Sequence, residues 1–549
     1  MKLAKLFIWM FILSQSIQAS EEIHGFEEIS EPYAILKTSE IMNHPQEKRI
    51  TNLINSRPEA DVHEQISLAN IVKSNAVAKH FPKPVFPISV KLKPNFTAIE
   101  FPEGFLRPDQ SGSVGPKQYI ALCIGRIRSF DKKGHPDGVL DVTTEQFFAS
   151  VLPPEWGVNF PQIQYDANSG RWFLVAVNGF GFNPNQIILA VSNEAVITKH
   201  TQWSFYAFPK NPKEYRQLPN FGISPAALFI GSQAVTEFEP KVKRNPEGFV
   251  VNMKGLLGNK LKVTHFDNLA TILGGPLFPS GVTIFDDRKD VGYFIGANTS
   301  DRFNQLAIRV INNPGTNPTL SPKVNLIDIS LVLSPIPVPQ KGSNVKLTPR
   351  GFLPTSSHQR NGFIYYTQTT LVDSNGVAVF SENARDGIRW YKINAKKSSN
   401  IKLADEGTLF SSEPDVSKAR FFWLPSIMTN KNGTMFLGAN TAGANYFPNA
   451  SISVRLDKDE PGTLSELKLI THSKTPYNFE FWTEYTNLSI DPCDNRSVWS
   501  IQQFSVPVNQ NNQKANWGLQ VCRIRPGVKL HRDKHRKCSS AIVEIAKTE

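Results

Sequence analysis

The chain has 549 residues with 60 Lys+Arg against 48 Asp+Glu, a formal net charge of +12, and it carries 39 Pro, 34 Gly, 11% aromatics and only 4 Cys. That length builds a large core without disulfide staples, and the composition excludes collagen-like, coiled-coil and small disulfide-scaffold classes. Few charges and many aromatics also exclude a mostly disordered protein.

Residues 1–19 read as a cleaved secretory leader. Lys2 and Lys5 precede an unbroken apolar run from Leu6 to Leu13, and small or polar residues follow as far as Ala19. The run is far shorter than the roughly 20 residues that span a bilayer. No later window is long and apolar enough for a membrane helix, so the mature protein is expected in the periplasm or outside the cell. Residues 20–115 form an N-terminal extension. Helical spacing of Ile50, Leu53, Ile54, Ile66, Leu68, Ile71 and Val72 predicts one or two helices between Gln46 and Lys79. Pro82, Pro84, Pro87 and Pro94 then predict an extended stretch running over a surface.

Residues 116–527 change texture. Short β-branched and aromatic runs alternate with Gly, Asn, Asp and Pro clusters, the pattern of an all-β fold. A strand, a polar turn and an aromatic-rich strand recur at 163–177, 282–297, 426–439 and 488–504, with Asp166, Asp286, Asn430 and Asp491 ending the first strand. Such side chains accept backbone N–H groups inside a tight hairpin turn. A third strand follows each hairpin, at 187–192, 305–310, 450–456 and 517–524, and fainter units fit at 229–253 and 371–393. Repeated four-stranded units predict a six- or seven-bladed β-propeller, with a pair of β-sandwiches as the alternative. The strand at 117–127 is expected to close the ring by pairing in the last blade, which removes open sheet edges. Residues 528–549 form a basic tail.

The segments PSIMTNKNGTMFLGANTAGANYFPNASISVR (425–455), PGTLSE (461–466), FWTEYTNLSIDPCDNRSVWS (481–500), GPKQYIALCIGRIRSFDKKG (115–134) and YDANSGRWF (165–173) resemble a family of large secreted bacterial β-propeller proteins. Those proteins are similar in architecture to sialidases and mostly lack an assigned activity. Where that family has Arg-Trp-Gly-Asp-Tyr, this chain has Phe481, Trp482, Thr483, Glu484 and Tyr485, so an arginine able to grip a carboxylate is lost. The resemblance implies a propeller, and implies function only weakly.

A sialidase-like glycosidase needs arginines converging on a substrate carboxylate, together with an acid and a nucleophile. Glu484 and Tyr485 are the candidate acid and nucleophile. Arg389, Arg455 and Trp482 are the candidate substrate contacts, with Arg126 and Arg309 as further arginines. The aspartate turns lack the Ser-x-Asp-x-Gly-x-x-Trp spacing of sialidase Asp-boxes. There is no zinc motif, calcium loop, phosphate loop or Gly-x-Ser-x-Gly elbow, so no metal and no cofactor are expected. His531 and His535 lie in a strongly basic run that disfavours cations. Four cysteines allow three pairings. Cys493–Cys522, on neighbouring strands of the last blade, is the first choice, with Cys123–Cys538 as the second bond. No aromatic-interleaved basic motif points to nucleic acid. The reading is of an exported monomeric binding propeller whose ligand is a glycan or a protein. The alternative is a sialidase-like glycoside hydrolase or lyase acting in the central funnel.

Overall fold

A computed structural model describes residues 22–44, 79–84, 89–100, 107–179, 181–237, 243–299, 304–349, 356–508 and 515–527. The leader, the helices expected between residues 46 and 79, and the basic tail lie outside these residues, apart from Lys79.

The polar turns divide the chain into antiparallel hairpins for local reasons. Asp131, Asp373 and Asn430 each accept N–H groups two and four residues on, and each is followed three positions later by a glycine at positive φ. Glycine takes that conformation without steric cost. Asp166 caps its own turn through Asn168 and Ser169, and Asp491 does so through Cys493. Asp286 departs from the expectation. Its carboxylate accepts from Asn361 and Gly362 in the next blade, because Thr283–Ile284 leaves its own sheet to pair in parallel with His358–Gln359.

The hairpins assemble into seven four-stranded blades around one axis. Their innermost strands are Ser111–Val114, Gly157–Asp166, Tyr215–Ile223, Pro276–Gly281, His358–Arg360, Phe421–Thr429 and Asn487–Ile490, for blades 1 to 7 in chain order. Blade 7 then packs back on blade 1. The expected closing strand does not close the ring. Gln118–Cys123 is the second strand of blade 1, and closure comes from Val90–Glu100, which pairs antiparallel with Trp517–Pro526 as the outer strand of blade 7. Pro94, which has no N–H to donate, falls where that pairing slips register between Cys522 and Ile524.

Residues 22–44 form a belt that runs against the chain order. Ile23–His24 extends blade 4, Phe26–Ser30 extends blade 3, and Ala34–Lys37 extends blade 2. The short helix Thr38–Met42 then packs on blade 1, where the Gln146 amide donates to the carbonyls of Ile41, Met42 and His44. The core lies between blades and is rich in second-strand side chains, including Trp172, Phe229, Phe294, Tyr366 and Trp499, each wholly buried. Inner strands of blades 3 and 4 approach so closely that a Cβ on Gly222 or Gly281 would strike the backbone of Val282 or Phe229.

Candidate functional site

The innermost strands enclose a channel whose two halves differ. In the half nearer their C-terminal ends lies a cavity of about 170 Å³, walled by residues of blades 1, 2, 3, 5, 6 and 7 and by the segment 283–285 that follows the inner strand of blade 4. Its lining mixes hydroxyls, amides and apolar groups, including Gln164, Thr283, Asn487 and Ser489, with Arg360 and Asp166 as its charged side chains. Both Asp166 oxygens already accept backbone N–H groups of their own turn.

Around this channel one polar bridge spans each junction between blades. Ser111 and Ser113 accept from the N–H groups of Ile163 and Tyr165, joining blades 1 and 2. Gln164 donates to the Phe221 carbonyl, and Ser280 reaches both Asn220 and Ser357. Blades 5 and 6 meet through His358, whose Nε2 lies 2.7 Å from Thr429 Oγ1 and accepts the Thr429 N–H at 3.1 Å. Thr486 donates to the Leu424 carbonyl, and Gln110 donates to that of Tyr485, which completes the circle. A titratable group appears at one of these bridges, His358.

His358 is fully enclosed, stacked on Tyr365 and edge-on to Phe285. Because Nε2 accepts from a backbone N–H, the neutral ring carries its proton on Nδ1. Burial, and secondarily the charge of Arg360, pulls its pKa down to about 3. Arg360 lies over the Phe285 ring at 4.3 Å and donates from Nη1 to Asn495 Oδ1 at 3.0 Å. Its Nε and Nη2 find no acceptor among the described residues. Burial lowers this guanidinium to about 10, although the carboxylate of Asp286 acts in the opposite direction.

The other half of the channel is filled. Phe160, Leu218, Phe278 and Leu424 adopt positive φ, each just before a proline, and the strand register slips at each of them. These are bulges, with the proline placed where no ladder bond is needed. Phe160, Leu218 and Phe278 share one apolar cluster with Tyr485. Blades 2 to 4 do not adjoin blade 7, so Tyr485 joins them across the axis. The φ values, 53°, 52°, 45° and 47°, are unusual for bulky residues and cost on the order of 1–3 kcal/mol each. Packing of the same side chains offsets that cost.

The predicted catalytic pair therefore stands in the filled half. Glu484 Oε1 accepts from Arg107 Nη1 at 3.1 Å, its N–H donates to Asp109, and the side chain is buried. Trp482 packs edge-to-face with Trp423 and Tyr477 inside the core. The predicted arginines do not meet there. Arg389 lies over Phe81 at 4.2 Å. Arg455 pairs with Asp405 and lies near the Trp390 ring, and Arg126 pairs with Asp141. Arg309 is buried in blade 4 with no carboxylate partner among the described residues, and burial lowers it to about 10.

The disulfide expectation is corrected. Cys123 and Cys522 are buried free thiols, so neither Cys493–Cys522 nor Cys123–Cys538 forms, and Cys538 itself lies outside the described residues. Cys522 sits opposite Ser500 in mid-ladder and packs with Val498 and Ile524, and burial pushes its thiol up to about 12. Cys493 instead occupies the turn beyond that ladder, with its sulfur 3.3 Å from Lys132 Nζ. Among the described residues no group of His, Cys, Asp and Glu is arranged to hold a metal ion, and no helix is long and apolar enough to cross a membrane.

Sequence reasoning missed His358 and Arg360 because the innermost strand of blade 5 is only three residues long. One usable signal was present: a bulky residue followed by proline recurs in inner strands, at 160–161, 218–219, 278–279 and 424–425. It marks the filled half and so, by exclusion, the open one.

The class defined by fold and site is a seven-bladed β-propeller with an axial cavity at one mouth. No protein-family profile matches the chain, and no curated protein matches it in sequence. Solved structures similar to it include a Trypanosoma rangeli sialidase, at 8% identity over 67% of this chain and 54% of that one, with a TM-score of 0.32. Others are a protein of unknown function from Dyadobacter fermentans (11% identity, 68% and 95% covered, TM-score 0.30) and an α-L-arabinofuranosidase from Lactobacillus brevis (13% identity, 56% and 93% covered, TM-score 0.31). The chain spans about half the length of the sialidase. Likenesses of this size carry no activity over to it.

Proposed function

We propose that this protein is an exported, non-catalytic binding propeller of the secreted bacterial type, and that its ligand site is the axial cavity. The observation that carries the reading is the contrast within the channel: Glu484 and Tyr485 are tied up in a packed interior, whereas the opposite half holds a cavity lined by hydrogen-bonding groups of many blades. Glycoside hydrolysis uses two carboxyl groups facing a common bond. The charged groups lining the cavity are one carboxylate, held by its own turn, and one guanidinium. A lining of hydroxyls and amides between apolar patches suits a glycan, which presents hydroxyls on its edges and C–H groups on its faces. Export follows from the leader at residues 1–19.

The test pairs two assays on the purified mature chain. A panel of fluorogenic glycosides is expected to give no turnover, with or without Glu484→Gln. A thermal-shift screen of mono- and oligosaccharides is expected to give at least one stabilising ligand. Turnover that disappears in Glu484→Gln would replace this reading with the hydrolase one.

A further inference from the structure

We propose that the axial cavity takes a small hydroxylated carboxylate, such as a terminal uronic acid, with the carboxylate seated on Arg360. The inference rests on the cavity being the binding site and names the chemistry of its ligand. Arg360 is 6% exposed and lines the cavity. One of its terminal nitrogens is used by Asn495. The remaining edge, Nε with Nη2, is the side of the guanidinium that presents two parallel N–H groups, and it has no acceptor among the described residues. No carboxylate pairs with this residue there. A buried charge without a paired counterion is costly, and Arg216 is held by Glu214 and Glu247 and Arg455 by Asp405. Arg309 and Arg389 share the lack of a carboxylate partner among the described residues but, unlike Arg360, do not line the cavity.

The geometry selects among anions. The Nε–Nη2 edge matches the two oxygens of a carboxylate in a planar fork. A phosphate dianion would call for a second cation, and the other charged residue lining the cavity is Asp166. Phe285 holds the guanidinium plane from below, which limits its rotation. Asn168, Asn487 and Ser489 supply donors and acceptors for hydroxyl groups. Arg360 thus acts as the anchor and the amides as the readers of the sugar ring.

Isothermal titration of the full mature chain with galacturonate, galactose and inorganic phosphate tests this. Wild-type protein is expected to bind galacturonate at least about tenfold more tightly than galactose, the worth of a charge-assisted hydrogen-bond pair. Arg360→Gln is expected to bring galacturonate to the affinity of galactose. Equal wild-type affinities, phosphate binding as tightly as galacturonate, or an Arg360→Gln variant that keeps the preference would each overturn the proposal. The wild-type comparison decides the matter even if Arg360→Gln fails to fold. Ser489→Trp, which fills the cavity, separates the two levels of the reading. If it abolishes sugar binding while the wild type shows no preference for the acid, the anion inference falls and the cavity stands. If it binds both sugars as the wild type does, the cavity reading falls as well.

Discussion

The two halves of the central channel are built from the same seven strands, yet one is solid and the other open. In the solid half the strands bulge at Phe160, Leu218, Phe278 and Leu424, and these side chains pack inward or between blades. In the open half the strands run on without bulges, and small polar residues face the axis. The bulge is what differs: it adds one residue to the inner strand and re-aims a bulky side chain, at a backbone cost repaid only by close packing. On the proposed reading, an acid and a tyrosine in the solid half serve packing and ion pairing rather than chemistry. A cation in the open half is the group to suspect of function.

The largest expected effect comes from emptying the solid half. Phe278→Ala removes a ring that is 3% exposed and is expected to lower stability by about 3–5 kcal/mol in denaturant unfolding, with no change in ligand affinity. Glu484→Ala breaks a buried ion pair with Arg107 and is expected to cost about 3 kcal/mol. A catalytic Glu484 would behave in the opposite way, with activity lost and stability kept.

The sequence made the solid parts of the ring legible and left the site obscure, and the reason is physical. Blade hairpins announce themselves because their turns demand Asp or Asn and a left-handed glycine, as at Asp373–Gly376 and Asn430–Gly433. Inner strands carry no comparable local demand: their composition answers to neighbours across the axis that lie far away in sequence. His358 and Arg360 could not be paired in advance with Thr429 and Asn495, more than one blade unit downstream. The closing strand was hidden for a similar reason. Val90–Glu100 alternates buried and exposed positions with Lys91 and Lys93 outward, as edge strands do. Its partner strand, however, lies at the opposite end of the chain, and Pro94 argued for an irregular path. Three of the four named hairpins needed only near neighbours and are found as paired blade strands, whereas at 282–297 the second strand pairs with Pro276–Gly281 and Thr283–Ile284 joins the next blade.

A smaller effect separates the halves by pH. The folded chain holds His358 neutral with a pKa of about 3 against an ordinary value of 6.5, so between those values the unfolded chain binds the extra proton. Stability contributed by this site is therefore complete above about pH 6.5 and falls as pH drops, by up to about 1.4 kcal/mol per unit. Asp386 opposes this trend, since burial raises its carboxyl and the folded chain there holds the proton more firmly than the unfolded one. The difference between wild type and His358→Gln isolates the histidine. The variant is expected to lose part of the acid sensitivity between about pH 6.5 and pH 4.5 in thermal melts, and parallel curves would show that His358 is not the acid-labile bridge.

The finest test compares one hydrogen bond from each half. Thr486→Val removes the hydroxyl that donates to the Leu424 carbonyl at 2.8 Å, in the solid half. Leu424 packs in an apolar cluster, so its stranded carbonyl bears the desolvation cost, about 1–2 kcal/mol. Ser113→Ala removes the acceptor of the Tyr165 N–H at 3.0 Å, where Ser113 and Tyr165 both line the cavity. Water entering that polar space can accept the orphaned N–H, so the expected loss is only about 0.5 kcal/mol. The bonds are alike in length, and the one beside the cavity is the less buried of the two. Equal losses in denaturant unfolding would mean that the cavity is no wetter than the plug, and the contrast on which the ligand site rests would go with it.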